Sequence, residues 1–479
     1  MVDTLVFITG AALVVQALIG LSFLISSIWE REARATFFAA LQLIGMLAPL
    51  CLFIYLSARG FFDAPSGIFC LLAGSVGGAA GIYFTVRRSG ANPRALDGSQ
   101  GLIVEKVDRF DERMHVFARN RSLRPGSEQY KQFYQAHPEK EAPDAARRKQ
   151  GGPIGHPGTI DAPHGDANVA ATLASLNVPL YLSTPEKVRP QAHPFLREKK
   201  IDLSPEEATQ RIKGYTRHLG AGLVGIAEIN PLWIYSRRGE IFHDNWQDWG
   251  RAIEAEHRFA IVFTEEMTLH MVGTGPHTPT TLESMRDYAQ GAHISAQLAA
   301  FIANLGFPST ANHLRHYECL LVPLAVDAGL GELGRLGYLI TREYGPRVRL
   351  SAVTTNMPLI ADKPVDIGVQ DFCRICKKCA HCCPSSSIPS GDQSVFNGTL
   401  RWKLNDESCF DYWGKVGTDC NVCMRVCPWS HARTFPHRLI VALVSRNAIA
   451  RRLFNRMDDI FYGKHPRAKP LDNWANYRP

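Results

Sequence analysis

The sequence predicts a mixed helix–strand domain, of α/β or α+β class, preceded by membrane-spanning helices and followed by a cysteine-rich module. Three observations predict it. Long uncharged apolar runs crowd the first 86 residues, helical and strand-like patterns alternate from about residue 171, and eight of the 12 cysteines fall in two motifs after residue 372. A length of 479 residues calls for two to four domains. With 46% hydrophobic and 20% charged residues, most of the chain should fold. The net charge of +8 comes without a long basic run, so nucleic-acid binding is not indicated. Crowded cysteines speak for metal thiolates rather than a disulfide framework.

Leu5–Ser27 is 23 residues without a charge, and Phe37–Leu56 and Gly67–Val86 are 20 each. All three are long enough to cross a bilayer at about 1.5 Å per residue. Pro49, Gly74, Gly77 and Gly78 are tolerable there, and small residues let helices approach closely. A signal peptide fits the first run poorly, because no basic residue precedes it and two more spans follow; no twin-arginine signal is present. Arg31, Arg34, Arg87, Arg88 and Arg94 lie on one side and Arg59 on the other, which puts the long C-terminal portion in the cytoplasm. Histidine-ligated haem in the bundle is excluded, since the first histidine is His115. Cys51 and Cys70 read as small hydrophobes. Glu30 and Glu32 read as a solvated loop at the lipid boundary, with contact to a quinol or a donor protein as the alternative.

Residues 119–170 are rich in Arg, Lys, Pro, Gly and His and read as extended surface chain. Pro205–Leu219 is an amphipathic helix with Ser204 as N-cap. Leu223–Ile229, Arg258–Phe263 and Val348–Val353 read as strands. Between them Thr281–Leu305 forms a long helix, capped by Thr280 or Thr281 and stopped by Gly306.

Cys373, Cys376, Cys379 and Cys383 form C-x2-C-x2-C-x3-C before Pro384; Cys420, Cys423 and Cys427 form C-x2-C-x3-C before Pro428. This is the bacterial two-cluster ferredoxin pattern, in which the last cysteine of each run crosses to the other cluster. The crossing assigns Cys373, Cys376, Cys379 and Cys427 to one [4Fe–4S] cluster, and Cys420, Cys423 and Cys383 to the second. Cys409, eleven residues before Cys420, completes the second set at an unusual spacing, and Cys382 reads as a bystander. Zinc is the competing occupant, disfavoured by eight cysteines with two Cys-Pro endings.

Upstream, Val107–Arg148 contains Asp-Glu-Arg at 111–113, Phe-Ala-Arg at 117–119 and Tyr-Gln-Ala-His-Pro-Glu at 134–139. Ala328–Arg335 reads A-G-L-G-E-L-G-R; Gly345–Arg349 reads G-P-R-V-R and Thr355–Leu359 reads T-N-M-P-L, before the first cysteine motif. With the D-D-I-F-Y-G of Asp458–Gly463, these segments resemble the corrinoid-dependent reductive dehalogenases from about residue 105 to the C-terminus. The resemblance implies an α+β fold: a nitroreductase-like core holding a base-off corrinoid, beside a two-cluster ferredoxin module. The corresponding divisions are 1–88 (anchor), 105–365 (core), 366–435 (clusters) and 436–479 (an extension packing on the core). No Asp-x-His-x-x-Gly motif for a cobalt-ligating histidine is evident. The family's respiratory members usually pair with a separate three-helix membrane protein, which the N-terminal segment here resembles in size.

The same resemblance implies Tyr288 as proton donor to the carbon that loses halogen, and Arg335 as its guanidinium partner. A phenol of pKa near 10 donates reluctantly unless a neighbouring cation stabilises the phenolate. Asn312 or His313 would supply a third polar group, and Gly329, Gly331 and Gly334 would let backbone approach the macrocycle. The implied partners are a small organohalide, membrane lipid and an electron donor (a quinol, ferredoxin or flavodoxin), with no nucleic acid. The implied location is the inner membrane with the catalytic part facing the cytoplasm. Two alternatives remain: another corrinoid and iron–sulfur reductase similar to epoxyqueuosine reductase, and a non-catalytic electron-transfer subunit.

Overall fold

A computed structural model describes residues 2–154, 165–182, 202–254, 256–470 and 474. It divides into two compact units, one of residues 1–91, 367–376 and 431–469, the other of 92–366, 377–430 and 470–479.

The first unit holds three helices, α1 (Val2–Trp29), α2 (Ala33–Ala58) and α3 (Pro65–Val86). Each contains its expected span, and all three are long and apolar enough to cross a membrane. The C-terminal helices Phe435–Val444 and Ala448–Phe461 belong to this unit. Residues 436–469 thus group with the three apolar helices. The reason is an apolar seam: Phe461 and Tyr462 cluster with Phe23, Ala35 and Ala39. Polar ties reinforce it. Arg34 Nε donates to the Ile460 carbonyl at 2.9 Å, and Asn447, which caps Ala448–Phe461, donates to the carbonyls of Phe84 and Arg87 at 2.8 and 2.6 Å. Arg451 also pairs with Asp371 at 3.0 Å, on the helix Val369–Cys376 that ends with Cys373 and Cys376.

Among the described residues the second unit has eight strands: β1 (Leu223–Glu228), β2 (Phe259–Glu266), β3 (Ser309–Asn312), β4 (Glu332–Leu333), β5 (Leu339–Ile340), β6 (Val348–Thr355), β7 (Ser394–Phe396) and β8 (Thr399–Arg401). The main sheet has the order β1-β2-β6-β3 with every pair antiparallel, which selects α+β over α/β. Alternation along β2 serves both faces. Ile261 and Phe263 enter a core with Ile212, Ile294, Leu298 and Ile302, while Ala260 and Val262 enter another with Trp233, Leu324 and Ala352. The helix Pro205–His218 starts as expected at Ser204, in a full capping box with Glu207.

Two expectations are corrected. The long helix runs Thr278–Asn304 with His277 as N-cap, because Pro279 suits a first turn and the Thr281 hydroxyl is spent on Asp419 instead. Residues 119–150 are not extended: Glu128–Ala136 and Pro138–Gln150 are helices. They are held by a buried network in which Arg119 Nε meets Asp144 Oδ2 at 2.7 Å and the Tyr134 hydroxyl donates to Asp144 at 3.0 Å. Charged composition masked that interior pairing. Residues 155–164 of the expected extended stretch lie outside the described residues.

Candidate active site

The long helix brings Tyr288 to the wall of a cavity of about 240 Å³, which Tyr235, Tyr317, Tyr338, Cys319 and Arg349 also line. Arg349 comes from β6 and lies over the Tyr288 ring, its guanidinium carbon 5.0 Å from the centroid. Burial pushes the Tyr288 phenol above its ordinary pKa, and Arg349 pulls it back. Burial likewise opposes the charge on Arg349, but Tyr288 and Asp419 more than restore it.

Arg349 is oriented from the far side. Its Nη2 donates to Asp419 Oδ2 at 3.0 Å and to the Ser284 hydroxyl. Asp419 in turn accepts from Thr281 Oγ1 at 3.0 Å and from Asn421 Nδ2 at 2.9 Å. The chain turns sharply there, with Cys420 and Asn421 at φ +65° and +51°. Thus one buried ion pair joins the arginine facing Tyr288 to the residue immediately before the cysteine motif. A second cation, Arg121, interacts electrostatically with Tyr288 and stacks over Phe117 at 5.0 Å.

Arg335 has a different setting from the one expected. Its Nη1 donates to the carbonyls of Pro389 and Gly391 at 2.6 and 2.8 Å, and its guanidinium lies over Trp402 at 4.5 Å. The arginine presented to Tyr288 is Arg349. Asn312 is fully buried at the end of β3, where its Oδ1 accepts from the Glu318 amide at 2.7 Å and its Nδ2 donates to the Thr310 carbonyl. It thereby positions the segment leading to Cys319 and is not a cavity-lining residue. His313 is buried beside it, and burial lowers its pKa to about 4.

The three glycines serve approach of the chain to itself. A Cβ at Gly329 (φ +71°) would fall 2.5 Å from the Lys363 carbonyl oxygen, at Gly331 2.2 Å from the Ile340 oxygen, and at Gly334 2.5 Å from Ile340 Cδ1. At each of the three positions the chain passes too close to itself for a side chain. Arg349 and Arg121 escaped the sequence reading because the first lies in a strand and the second in a charged stretch. The G-P-R-V-R segment was the available signal.

None of the described cysteines forms a disulfide. In the second unit, burial raises Cys409 and Cys420 to about 12, and Cys423 well above its ordinary value. Cys409 feels Cys420 and Cys383, and Cys423 feels Cys420, Cys409, Cys379 and Cys383. Such mutually opposed, buried thiols fit a cationic iron–sulfur core that would hold them as thiolates. One polar atom of the cavity wall also fits a polar cofactor in part: Arg349 Nε is buried without a hydrogen-bond partner.

No family model matches the chain. Over 295 residues it is 32% identical to a tetrachloroethene reductive dehalogenase of Desulfitobacterium hafniense, covering 53% of this chain and 52% of that protein. It is 33% identical over 285 residues to the tetrachloroethene reductive dehalogenase of Sulfurospirillum multivorans, covering 53% and 56%. A shorter stretch of 114 residues, 23% of this chain, is 30% identical to epoxyqueuosine reductase of Lactococcus garvieae and covers 31% of it. Among solved structures, a reductive dehalogenase reported with a mechanism for B12-dependent dehalogenation superposes with a TM-score of 0.61 at 27% identity, covering 79% of this chain and 49% of the other. A catabolic reductive dehalogenase in complex with 3-bromo-4-hydroxybenzoic acid gives 0.56 and 26%, covering 75% and 49%. The chain spans about half the length of the curated relatives it matches.

Proposed function

We propose that this homologue of the reductive dehalogenases is itself one: a membrane-anchored oxidoreductase that replaces a carbon-bound halogen by hydrogen. The observation that carries the reading is the Tyr288–Arg349 pair at the wall of a largely apolar cavity, in a chain of this ancestry. The net reaction consumes two electrons and one proton per halide released. The corrinoid, when bound, supplies the low-potential metal centre for carbon–halogen cleavage.

The chain's own residues do the rest. Tyr288, a phenol already protonated at neutral pH and held further that way by burial, carries on its hydroxyl the proton destined for carbon. Arg349 faces the ring and stabilises the phenolate as that proton leaves. Asp419 keeps Arg349 in place. Apolar residues such as Leu320, Val322 and Leu350 line the rest of the cavity and suit a small apolar organohalide.

Two [4Fe–4S] clusters, which the cysteine spacing supports, would bring single electrons; Cys383, Cys409, Cys420 and Cys423 would hold the second. The electron donor is of the quinol, ferredoxin or flavodoxin class. The basic residues flanking α1–α3 support an inner-membrane location with the catalytic part in the cytoplasm.

The test is anaerobic reconstitution with a corrinoid, followed by a halide-release screen over chlorinated alkenes and halogenated phenols and benzoates. Halide release above the cofactor-only rate supports the proposal; none across the panel, with cobalt bound, refutes it.

A further inference from the structure

Within the first unit, Glu30 follows α1 directly and is fully buried. This replaces the solvated loop expected from sequence. Two histidines of the C-terminal segment face it: His437 Nδ1 lies 3.4 Å from Glu30 Oε1, and His431 Nδ1 lies 3.5 Å from Glu30 Oε2. One ligand atom from each of the three residues falls within 4.8 Å of the others. These separations are long for hydrogen bonds, and the contact at Glu30 Oε2 is an ion pair with His431 at 3.5 Å. They match instead the edge of a tetrahedral metal site, about 3.3–3.4 Å for bonds of about 2.0–2.1 Å.

The outer atoms tell the same story. A metal-bound imidazole usually gives its second nitrogen to a carboxylate or another acceptor, which fixes tautomer and ring orientation. Here His431 Nε2 lies 2.8 Å from Asp458 Oδ1, and His437 Nε2 lies 3.0 Å from the Tyr462 hydroxyl. His431 Nδ1 is thus left for the shared centre, and His437 Nδ1, within hydrogen-bond distance of the Ser26 and Thr434 hydroxyls, would turn from them to the ion. The Ser26 and Thr434 hydroxyls, 3.2 and 2.9 Å from His437 Nδ1, border the same point and offer oxygen at a fourth position. His431 keeps 21% of its side chain exposed, which leaves an entry path.

We propose that Glu30, His431 and His437 form a site for a divalent first-row cation of the zinc class. The ion would tie the end of α1 to the helices that follow the second cysteine motif. Two imidazoles and a carboxylate, with no thiolate, make it chemically separate from the cluster cysteines.

The test uses the detergent-solubilised, cluster-loaded full chain, treated with chelator and then with zinc chloride. One zinc per chain should be retained beyond iron and cobalt, and zinc-edge X-ray absorption should show only nitrogen and oxygen at about 2.0–2.1 Å. Glu30→Gln should abolish retention while iron content stays at the wild-type level. Tyr462→Phe, which leaves all three ligands in place, should weaken zinc about 10–100-fold. Failure of the wild type to retain zinc overturns the site. So does zinc with sulfur neighbours at about 2.3 Å that persists in Glu30→Gln.

Discussion

Arg349 faces Tyr288 with its guanidinium carbon 5.0 Å from the ring centroid, while its Nη2 is held by Asp419 at 3.0 Å. The cation that tunes the candidate proton donor is therefore anchored on the residue preceding Cys420. The candidate donor's arginine and the residue preceding Cys420 thus form one buried ion pair.

The first consequence concerns the donor. Tyr288→Phe removes only a hydroxyl at the cavity wall. Halide release should fall about 10²–10⁴-fold, with cobalt and iron contents unchanged. Turnover at the wild-type rate would assign proton donation to another group.

The second separates the two arginines. Arg349→Ala strands Asp419 in the interior, and breaking a buried pair costs about 3–5 kcal/mol. Arg349→Lys keeps a charge without the planar fork and should retain more activity than Arg349→Ala. Arg335→Lys, at a residue that donates to two carbonyls and lies over Trp402, should leave the pH dependence of turnover unmoved, whereas Arg349→Lys should shift it. A shift in the Arg335 variant alone would reverse the assignment.

The third concerns the unusual cysteine. Cys409 lies on the helix Asp406–Val416 and interacts with Cys420 and Cys383. Cys409→Ser should lower iron from about eight to about four per chain, and Cys382→Ser should not. Full iron in Cys409→Ser would remove it from the ligand set.

The fourth is a pH dependence. Glu112 is buried, and desolvation raises its pKa to about 8, against the pull of the Gly239 amide donating at 2.7 Å. An acid whose folded pKa is raised binds its proton more tightly in the folded state. Its stabilising effect is complete below about 4.5 and is lost as pH climbs to about 8. Glu112→Gln does not titrate and still offers an oxygen to Gly239. Its apparent melting temperature relative to wild type should therefore rise between pH 5 and pH 8.5, by an amount equivalent to about 1–4 kcal/mol. A difference constant with pH would show that Glu112 is ionised in the folded protein.

The fifth is topological. A reporter fused after residue 479 should behave as cytoplasmic, given the arginines that flank α1–α3. A periplasmic signal would invert the orientation.

The elements readable from the chain alone were those set by local rules. Three apolar spans, the Ser204 cap, the β2 and β6 strands and the grouping of the cysteines follow from composition and spacing within a few turns of chain. Side-chain partnership followed no such rule. Arg335 sits in the more distinctive motif, yet Arg349 meets Tyr288, because antiparallel pairing of β2 with β6 carries that strand beneath the long helix. Glu30 looked solvated beside two charges, yet helices more than 400 residues later in the chain enclose it. Residues 119–150 looked extended until Arg119, Tyr134 and Asp144 found one another in the interior. Which polar groups leave water together is set by how the elements stack, and for Glu30 and Arg349 the partners lie far apart in the chain.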